Sequence, residues 1–462
     1  MNASPEIFRA YDIRGIANQE LTTEIAVKVG MAYGTYLNRN NIHGRISIGR
    51  DIRLSSPHLE RAVASGLAST GYDVEMIGLV PIPVANYWTW KGDFCGGVYI
   101  TASHNPAEYN GIRFRHGDGT GYTEGNIEIK DIFFDEEMHM PSWNEFGEIN
   151  RVLSEKVLEE YQEFILPKFS KMNGMKIAID PGNGAAAGVA SLLFEKMGAE
   201  VKTINNEPDG RFPNRPSEPS AKNLKGLSEM IENGNFDFGI GFDGDADRCV
   251  FVDNKGSVVK TEKSGLIMAK NILTKDEGPV LVGVPCSKIV EEELKEDGVE
   301  VIWIRVGDVF VCELLKKHNA VFAMESSAHF FAPTLTEYFF DDPFVMSLSL
   351  AEVVCKSNME LSDIVEKMKE YPYEEIKFEC ADEIKFKINE ELERKFIENG
   401  YRVETIDGVK IWLENGWVLL RPSNTQPVIR MFVEANNEIE MKKIKSEFTK
   451  ELKDVMKSYI KG

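Results

Sequence analysis

The sequence predicts an α/β fold made of four successive units, and three observations carry that expectation. Short apolar runs alternate with amphipathic stretches over most of the 462 residues, the pattern of strands and covering helices in a largely parallel sheet. Three of the apolar runs end in polar loops, around Ser103, Asp243 and Glu325, which suggests a diverged internal repeat. The last unit changes character. Asp407-Gly408 and Asn415-Gly416 divide short alternating segments, and both dipeptides are strong hairpin signals for an antiparallel sheet.

Taken in order, residues 21–37 carry helical spacing, 45–49 form a strand, and 57–69 are helical again. Strands at 74–77 and 97–100 flank a short helix at 83–90, and a polar helix at 150–169 leads out of this first unit (1–152). The second unit (153–253) opens with a strand at 175–180, then a helix at 185–197 and a strand at 200–204. Residues 205–220, rich in Pro, Asn, Asp and Arg, read as a loop before a strand at 236–240. A hairpin of 250–252 with 257–260 passes into the third unit (254–370), where strands at 280–284, 300–304 and 320–324 alternate with helices at 289–294 and 310–317. The fourth unit (371–462) reads as a strand at 375–388, a charged helix at 389–399, strands at 403–406, 409–413, 417–421 and 428–433, and an amphipathic helix at 438–460.

Composition narrows the function. With 53 basic and 74 acidic residues the formal charge is -21, which argues against sequence-independent binding to nucleic acid or anionic membranes. An anionic substrate therefore needs a local cationic pocket. No apolar run approaches the roughly 18 residues of a spanning helix, and the charged N-terminus lacks a secretory core. The six cysteines show neither metal spacing nor a small-domain disulfide pattern. A soluble, reduced, cytoplasmic protein is expected.

Four constellations carry chemistry. Val98, Tyr99 and Ile100 end a strand, and Thr101 to Pro106 break it with small, polar and turn-forming residues. The Ser103 hydroxyl, followed by His104, is placed to act as a nucleophile, although an ordinary polar loop has the same composition. Asp243, Asp245 and Asp247 alternate directly after an apolar strand. Such a run also suits a solvated acidic turn, but carboxylates this close repel one another without a cation. Oxygen-only ligands select a hard ion, with Mg2+ the default where phosphate is handled. An EF-hand is excluded, because Asn254 stands at the twelfth loop position and no helix precedes the loop. Arg421, Ser423, Asn424, Thr425 and Arg430 suit a phosphate dianion or form a capped turn. Glu325 and Ser327, at a strand end, offer the acceptors and donor that hold sugar hydroxyls. A nucleophile, a hard-metal loop, a polyol loop and a phosphate loop make joint sense around one cleft that transfers phosphoryl groups on a phosphosugar.

At this point the chain resembles the α-D-phosphohexomutases of the phosphomannomutase/phosphoglucomutase type along essentially its whole length. The motifs are FRAYDIRG (8–15), TASHNP (101–106), DGDADR (243–248), ESSAH (325–329) and RPSNTQP (421–427). The resemblance implies three α/β domains with mixed sheets plus a C-terminal α+β domain around a central cleft, the last domain mobile. It implies that Ser103 carries a phosphoryl group, and that Asp243, Asp245 and Asp247, with an oxygen of phospho-Ser103, hold Mg2+. Arg14 and Arg248 would balance developing charge, Tyr11 would line the cleft, and Glu325 and Ser327 would hold the sugar. Arg421, Ser423, Asn424 and Thr425 would grip the phosphate that is not reacting. The implied reaction interconverts a hexose 1-phosphate and 6-phosphate, of mannose or glucose, through a bisphosphate that turns around in the cleft. Glucose 1,6-bisphosphate or mannose 1,6-bisphosphate would act as activator.

Several residues depart from that pattern. Arg113 stands where many relatives place a lysine thought to be a general base, and a guanidinium is a poor base. Arg113 is expected instead to stabilise charge at the substrate, leaving His104 as the candidate for proton transfer. Met324 and Ala328 replace the two glycines of the usual sugar loop, Asp308 replaces a histidine of some bacterial relatives, and Pro343 follows Asp341-Asp342. Asn424 favours mannose or glucose phosphate over glucosamine phosphate. The other readings are a phosphoglucosamine mutase, a catalytically weakened sugar-phosphate binding protein and a serine-dependent phosphatase. An acyl hydrolase lacks its GxSxG elbow around Ser103.

Overall fold

The computed structural model describes residues 3–9, 11–423 and 426–460. They form two compact units, Met1–Gly278 with Asp308–Glu366, and Pro279–Gly307 with Lys367–Gly462.

The first unit begins with β1 (Ile13–Ile16), α1 (Thr23–Arg39), β2 (Ile46–Arg50), α2 (Ser56–Ala68), β3 (Val74–Leu79), α3 (Ile82–Lys91), β4 (Gly96–Ile100), β5 (Tyr109–His116), α4 (Gly125–Asp135) and β6 (Ile149–Arg151). Their sheet runs β1-β5-β4-β2-β3-β6. Strands β2, β3, β4 and β6 are parallel, as the alternation of strand and helix requires. Strands β5 and β1 are antiparallel to their neighbours, so the sheet is mixed where the strand pattern predicted a largely parallel one. The cause is local: the loop between β4 and β5 is too short for a crossover helix, so the chain doubles straight back. That loop carries Ser103.

Helix α1 starts at Thr22, whose side chain accepts from the Ile25 amide at 3.2 Å. It packs on α2 through glycines. A Cβ at Gly66 would lie 2.1 Å from the Val27 carbonyl, and one at Gly30 would lie 2.4 Å from the Val63 carbonyl. Close backbone approach, and not backbone freedom, fixes these two positions.

Helix α5 (Ser154–Ile165), shorter than the expected 150–169, leads to β7 (Lys176–Asp180), α6 (Val189–Lys196), β8 (Glu200–Thr203), α7 (Lys225–Glu232), β9 (Phe238–Phe242) and β10 (Cys249–Asp253). The sheet order is β10-β9-β7-β8, with only β10 antiparallel. The helix expected from 185 begins at Val189, because residues 181–188 make a turn that ends at Gly188 with φ +75°. Of the expected strand at 257–260, a single bridge between Val252 and Val258 remains. Helix α8 (Thr261–Leu273) follows, then β11 (Val280–Gly283), α9 (Ile289–Glu296) and β12 (Val301–Ile304), which belong to the second unit and whose strands pair in parallel. The chain returns to the first unit as α10 (Asp308–His318), β13 (Phe322–Met324), β14 (Phe330–Phe331), α11 (Pro333–Thr336), α12 (Pro343–Ser357) and α13 (Leu361–Glu366). Helix α12 shows no amphipathic period because nearly its whole length is buried. It is capped by Asp342, which accepts from the Phe344 and Val345 amides, with Pro343 at its first position.

The second unit is completed by β15 (Tyr373–Glu379), α14 (Asp382–Glu398), β16 (Arg402–Glu404), β17 (Val409–Leu413), β18 (Gly416–Pro422), β19 (Val428–Ala435) and α15 (Glu438–Ile460). All its pairings, in the order β15-β19-β18-β17-β16, are antiparallel. Helix α14 takes over the residues expected to continue the first strand to 388. The turn after β17 is Glu414-Asn415, with Leu413 opposite Gly416, one residue earlier than the Asn415-Gly416 signal suggests. Period-two alternation splits β18. Val418 and Leu420 join the core under α14 and α15, whereas Trp417 and Leu419 face Val284. Lys410 lies on that second face, donating to the Val284 carbonyl at 2.8 Å, with its ammonium 4.0–4.6 Å from the rings of Trp303, Trp412 and Trp417. Burial lowers this lysine to about 8.

The helix contact gives a direct test. Gly66→Ala forces α1 and α2 apart and should cost about 1–3 kcal/mol. A substitution Ala→Gly at exposed helical sites costs no more than propensity, so a thermal melt of Gly66→Ala that matches the parent contradicts the close-approach account.

Candidate active site

Three loop segments of the first unit converge on Ser103. The serine itself sits at φ +48°, in the left-handed region that costs a non-glycine residue roughly 1 kcal/mol or more. Buried contacts hold it there. The Thr101 hydroxyl accepts from the Ser103 amide at 2.8 Å. The guanidinium of Arg53, itself fully buried, donates to the carbonyls of Ser103 (2.8 Å), Asn105 (2.7 Å), Pro106 (2.5 Å) and Tyr109 (3.0 Å). Burial lowers the pKa of Arg53, opposed by Asp51, whose carboxylate meets its Nε at 3.0 Å. Arg53 and Asp51 were not singled out from the sequence, where nothing marks an arginine that gathers backbone carbonyls.

The aspartate loop between β9 and β10 reaches the same place. Asp243, Asp245 and Asp247 are buried, and they present oxygens within 4.8 Å of one another. Gly244 packs so closely on the serine loop that a Cβ there would lie 2.7 Å from the Ser103 carbonyl. Ser103 Oγ stands 3.4 Å from Asp243 Oδ2, 3.1 Å from His104 Nδ1 and 3.3 Å from Arg248 Nη2. Arg248 also binds Asp243 through Nε at 3.0 Å and Nη2 at 2.9 Å. Burial, then Asp247, raises the Asp243 carboxyl to about 7, and burial with the same neighbours pushes Asp245 well above the usual range. Against burial, His329, Arg248 and Arg113 hold Asp247 low. Asp245 Oδ1 and Asp247 Oδ1 are buried without a hydrogen-bond partner. An oxygen-only set with two unsatisfied carboxylate oxygens fits a hard divalent cation.

The remaining candidate residues of this unit have partners of their own. Arg14 donates to Asn105 Oδ1 at 2.9 Å and pairs with Asp12 at 2.5 Å, and the Tyr11 ring meets Phe310 edge-on at 5.3 Å. The Arg248 charge, then burial, lowers His104 well below the ordinary imidazole value, so it is neutral near pH 7. Glu325 is buried at the end of β13, and Ser327 donates to its Oε2 at 3.2 Å. Ala328 adopts φ +70°, the strain a glycine would avoid. Met324 packs against α8, where a Cβ at Gly265 would lie 2.5 Å from its Cε. Arg113 pairs with Asp247 at 3.3 Å and with Asp308.

His329 is the residue the sequence reading passed over, although it closes the ESSAH motif. Its Nδ1 meets Asp341 Oδ2 at 2.5 Å, and against burial Asp247 and Asp341 hold it up to about 10, so it is protonated near pH 7. Asp247, His329 and Asp341 also present ligand atoms within 4.8 Å of one another.

The anion-binding set lies in the second unit. Arg421, at the end of β18, donates through Nε to Asp407 Oδ2 at 2.6 Å, and Asp407 also accepts from the Val306 amide at 3.0 Å. The Ser423 hydroxyl accepts from the Gln426 amide at 3.2 Å, and Arg430 binds Glu375 at 3.3 Å and Gln426 at 3.2 Å. Lys385 donates to the Ser423 and Gln426 carbonyls. Asn424 and Thr425 lie outside the described residues.

Comparison with known proteins matches the chain segment by segment. Residues 5–140, 159–256 and 260–371 match the phosphoglucomutase/phosphomannomutase alpha/beta/alpha domains I, II and III, and 375–451 match the C-terminal domain. The chain is 34% identical over 443 residues to a phosphoglucomutase/phosphomannomutase of Thermococcus kodakarensis, covering 94% of this chain and 95% of that one. It is 36% identical over 444 residues to a probable phosphoglucosamine mutase of Methanopyrus kandleri, covering 96% of each. A crystal structure of a phosphoglucomutase/phosphomannomutase family protein from Burkholderia thailandensis superposes with a TM-score of 0.90 at 26% identity, over 98% of both chains. Four matched domains, three of them α/β and the last an antiparallel sheet, place the chain in the phosphoglucomutase/phosphomannomutase family of the α-D-phosphohexomutase superfamily.

Proposed function

We propose that the protein interconverts a hexose 1-phosphate and a hexose 6-phosphate, of mannose or glucose, through phospho-Ser103 and a hexose 1,6-bisphosphate. The observation that carries the reading is the contact of Ser103 Oγ with both the aspartate cluster and Arg248. We infer four domains, with boundaries near 152, 253 and 370.

In the forward half-reaction, a free hydroxyl of the bound phosphosugar attacks phosphorus on phospho-Ser103. The new P–O bond forms as the Ser103 Oγ–P bond breaks, and the hydroxyl proton passes to a base. His104, neutral and beside Oγ, is the acceptor we favour; protonated His329 stands ready to balance charge or return a proton. Asp243, Asp245 and Asp247, with an oxygen of phospho-Ser103, would hold Mg2+, which when bound withdraws negative charge from the transferring phosphoryl group. Arg248 and Arg14 add positive charge from the protein side, Tyr11 lines the site, and Glu325 with Ser327 holds sugar hydroxyls. Arg421, Ser423, Asn424 and Thr425 bind the distal phosphate, bidentately at the arginine. A trace of the hexose 1,6-bisphosphate restores phospho-Ser103 when the intermediate escapes. Six free thiols suit a reducing, cytoplasmic setting.

Glucosamine phosphate is the second substrate reading. It is favoured by the Methanopyrus kandleri relative. Phosphorus NMR separates the two. With Mg2+ and a trace of glucose 1,6-bisphosphate, mannose 1-phosphate or glucose 1-phosphate should yield the 6-phosphate signal faster than glucosamine 1-phosphate does. The reverse order assigns the glucosamine substrate, and steady release of inorganic phosphate instead of isomer assigns a phosphatase.

Ser103→Ala should lower turnover by at least about a thousandfold while phosphosugar binding stays within a few-fold. Full turnover in that variant removes the nucleophile assignment. Arg421→Ala should weaken both phosphosugar isomers roughly 10–100-fold, the loss of hydrogen bonds to a charged partner. An effect on one isomer alone would contradict a shared phosphate grip.

A further inference from the structure

Arg113 projects from β5 and is buried, and its guanidinium donates to carboxylates. Its Nη1 stands 3.3 Å from Asp247 Oδ2, its Nη2 binds Asp308 Oδ2, and its Nε has no hydrogen-bond partner. Asp308 opens α10, where the helix N-terminus favours a carboxylate. Of the two Asp247 oxygens, Oδ2 faces Arg113. Oδ1 makes no hydrogen bond, with Arg248 Nε 3.5 Å away.

We propose that Arg113 and Asp308 are a matched positioning pair: together they orient Asp247 so that its Oδ1 is kept for a divalent cation, and Arg113 acts on this ligand and not on the sugar. The inference rests on the reading of Asp243, Asp245 and Asp247 as the cation site.

The physical reason is competition for one guanidinium. Arg presents its donors in a rigid planar fork, which a carboxylate can engage with both oxygens at once. Facing Asp247 alone, Arg113 would close onto it bidentately and draw Oδ1 away from a cation. Asp308 takes the Nη2 side of the fork and holds the guanidinium to a single contact with Asp247. Removing Arg113 has the opposite fault, because it leaves Asp247 and Asp308 as two buried carboxylates with their shared counter-charge gone. Either single change therefore misplaces the same ligand, whereas removing both partners leaves less to misplace.

The test is Mn2+ affinity of the full chain, read by electron paramagnetic resonance without substrate, for the parent, R113Q, D308N and R113Q/D308N. Each single variant should bind Mn2+ about tenfold more weakly or worse, the usual loss when a partner of a metal ligand is removed. The double variant should be no weaker than the worse single variant, and phosphosugar affinity should stay within about twofold throughout. If R113Q does not fold, R113K takes its place, keeping the charge but losing the fork. Unchanged Mn2+ affinity in D308N, losses that multiply in the double variant, or a fall in phosphosugar affinity alone would each overturn the pair while the cation site stands. A parent that binds no Mn2+ would overturn the cation site and the pair together.

Discussion

The structure of the first unit turns on one electrostatic constraint: three aspartates are buried side by side. Taking charge out of water is expensive, and like charges at this separation raise the cost further. Arg248 and Arg113 supply counter-charge from two directions, and His329 adds a third cation. Two carboxylate oxygens are still left without a donor. A fold that concentrates acid in this way and leaves part of it unsatisfied offers a donor set that fits a hard divalent cation.

The serine loop depends on a second buried charge. Arg53 gathers the carbonyls of Ser103, Asn105 and Pro106 in the loop and of Tyr109 at the start of β5, tying together the two ends of the short connection. The Asn105 and Pro106 carbonyls also accept from the Ser217 hydroxyl and the Tyr109 amide. The same contacts keep Ser103 in the left-handed region and bring the Gly244 backbone against it. Strain at Ser103, hydrogen-bonded support behind it and a glycine-only contact with the acidic loop act together on the position of its hydroxyl.

The second unit is organised differently, around a sheet with apolar side chains on both faces. One face carries two helices, and the other carries tryptophans around the Lys410 ammonium. Arg421 and Ser423 lie at the end of β18, so the anion-binding turn inherits its position from the hairpin between β18 and β19. Asp407 and Lys385 support that turn from adjacent loops and helix, pairing with Arg421 and with two of its carbonyls.

What the sequence determined by itself was whatever rests on local chemistry. The alternation of strands and helices, the closing amphipathic helix, the hairpin signals and the polar loops after apolar strands all depend on neighbours a few residues apart. So did Ser103, the three aspartates and Arg248, because their residue types and spacing name the chemistry. Strand β5 stayed hidden because Arg113 and Arg115 alternate with its core residues Ile112 and Phe114, and arginines read as surface until distant partners such as Asp247, Asp308 and Asn86 take them up. Helix α12 stayed hidden because complete burial erases the period of an amphipathic helix. The same physics governed the partners of the site. Arg53 under the serine loop, His329 against Asp341, and Arg113 between Asp247 and Asp308 join residues far apart in the chain. Only the tertiary structure decided those pairings, since the energy of a buried charge depends on what surrounds it and not on what precedes it in sequence.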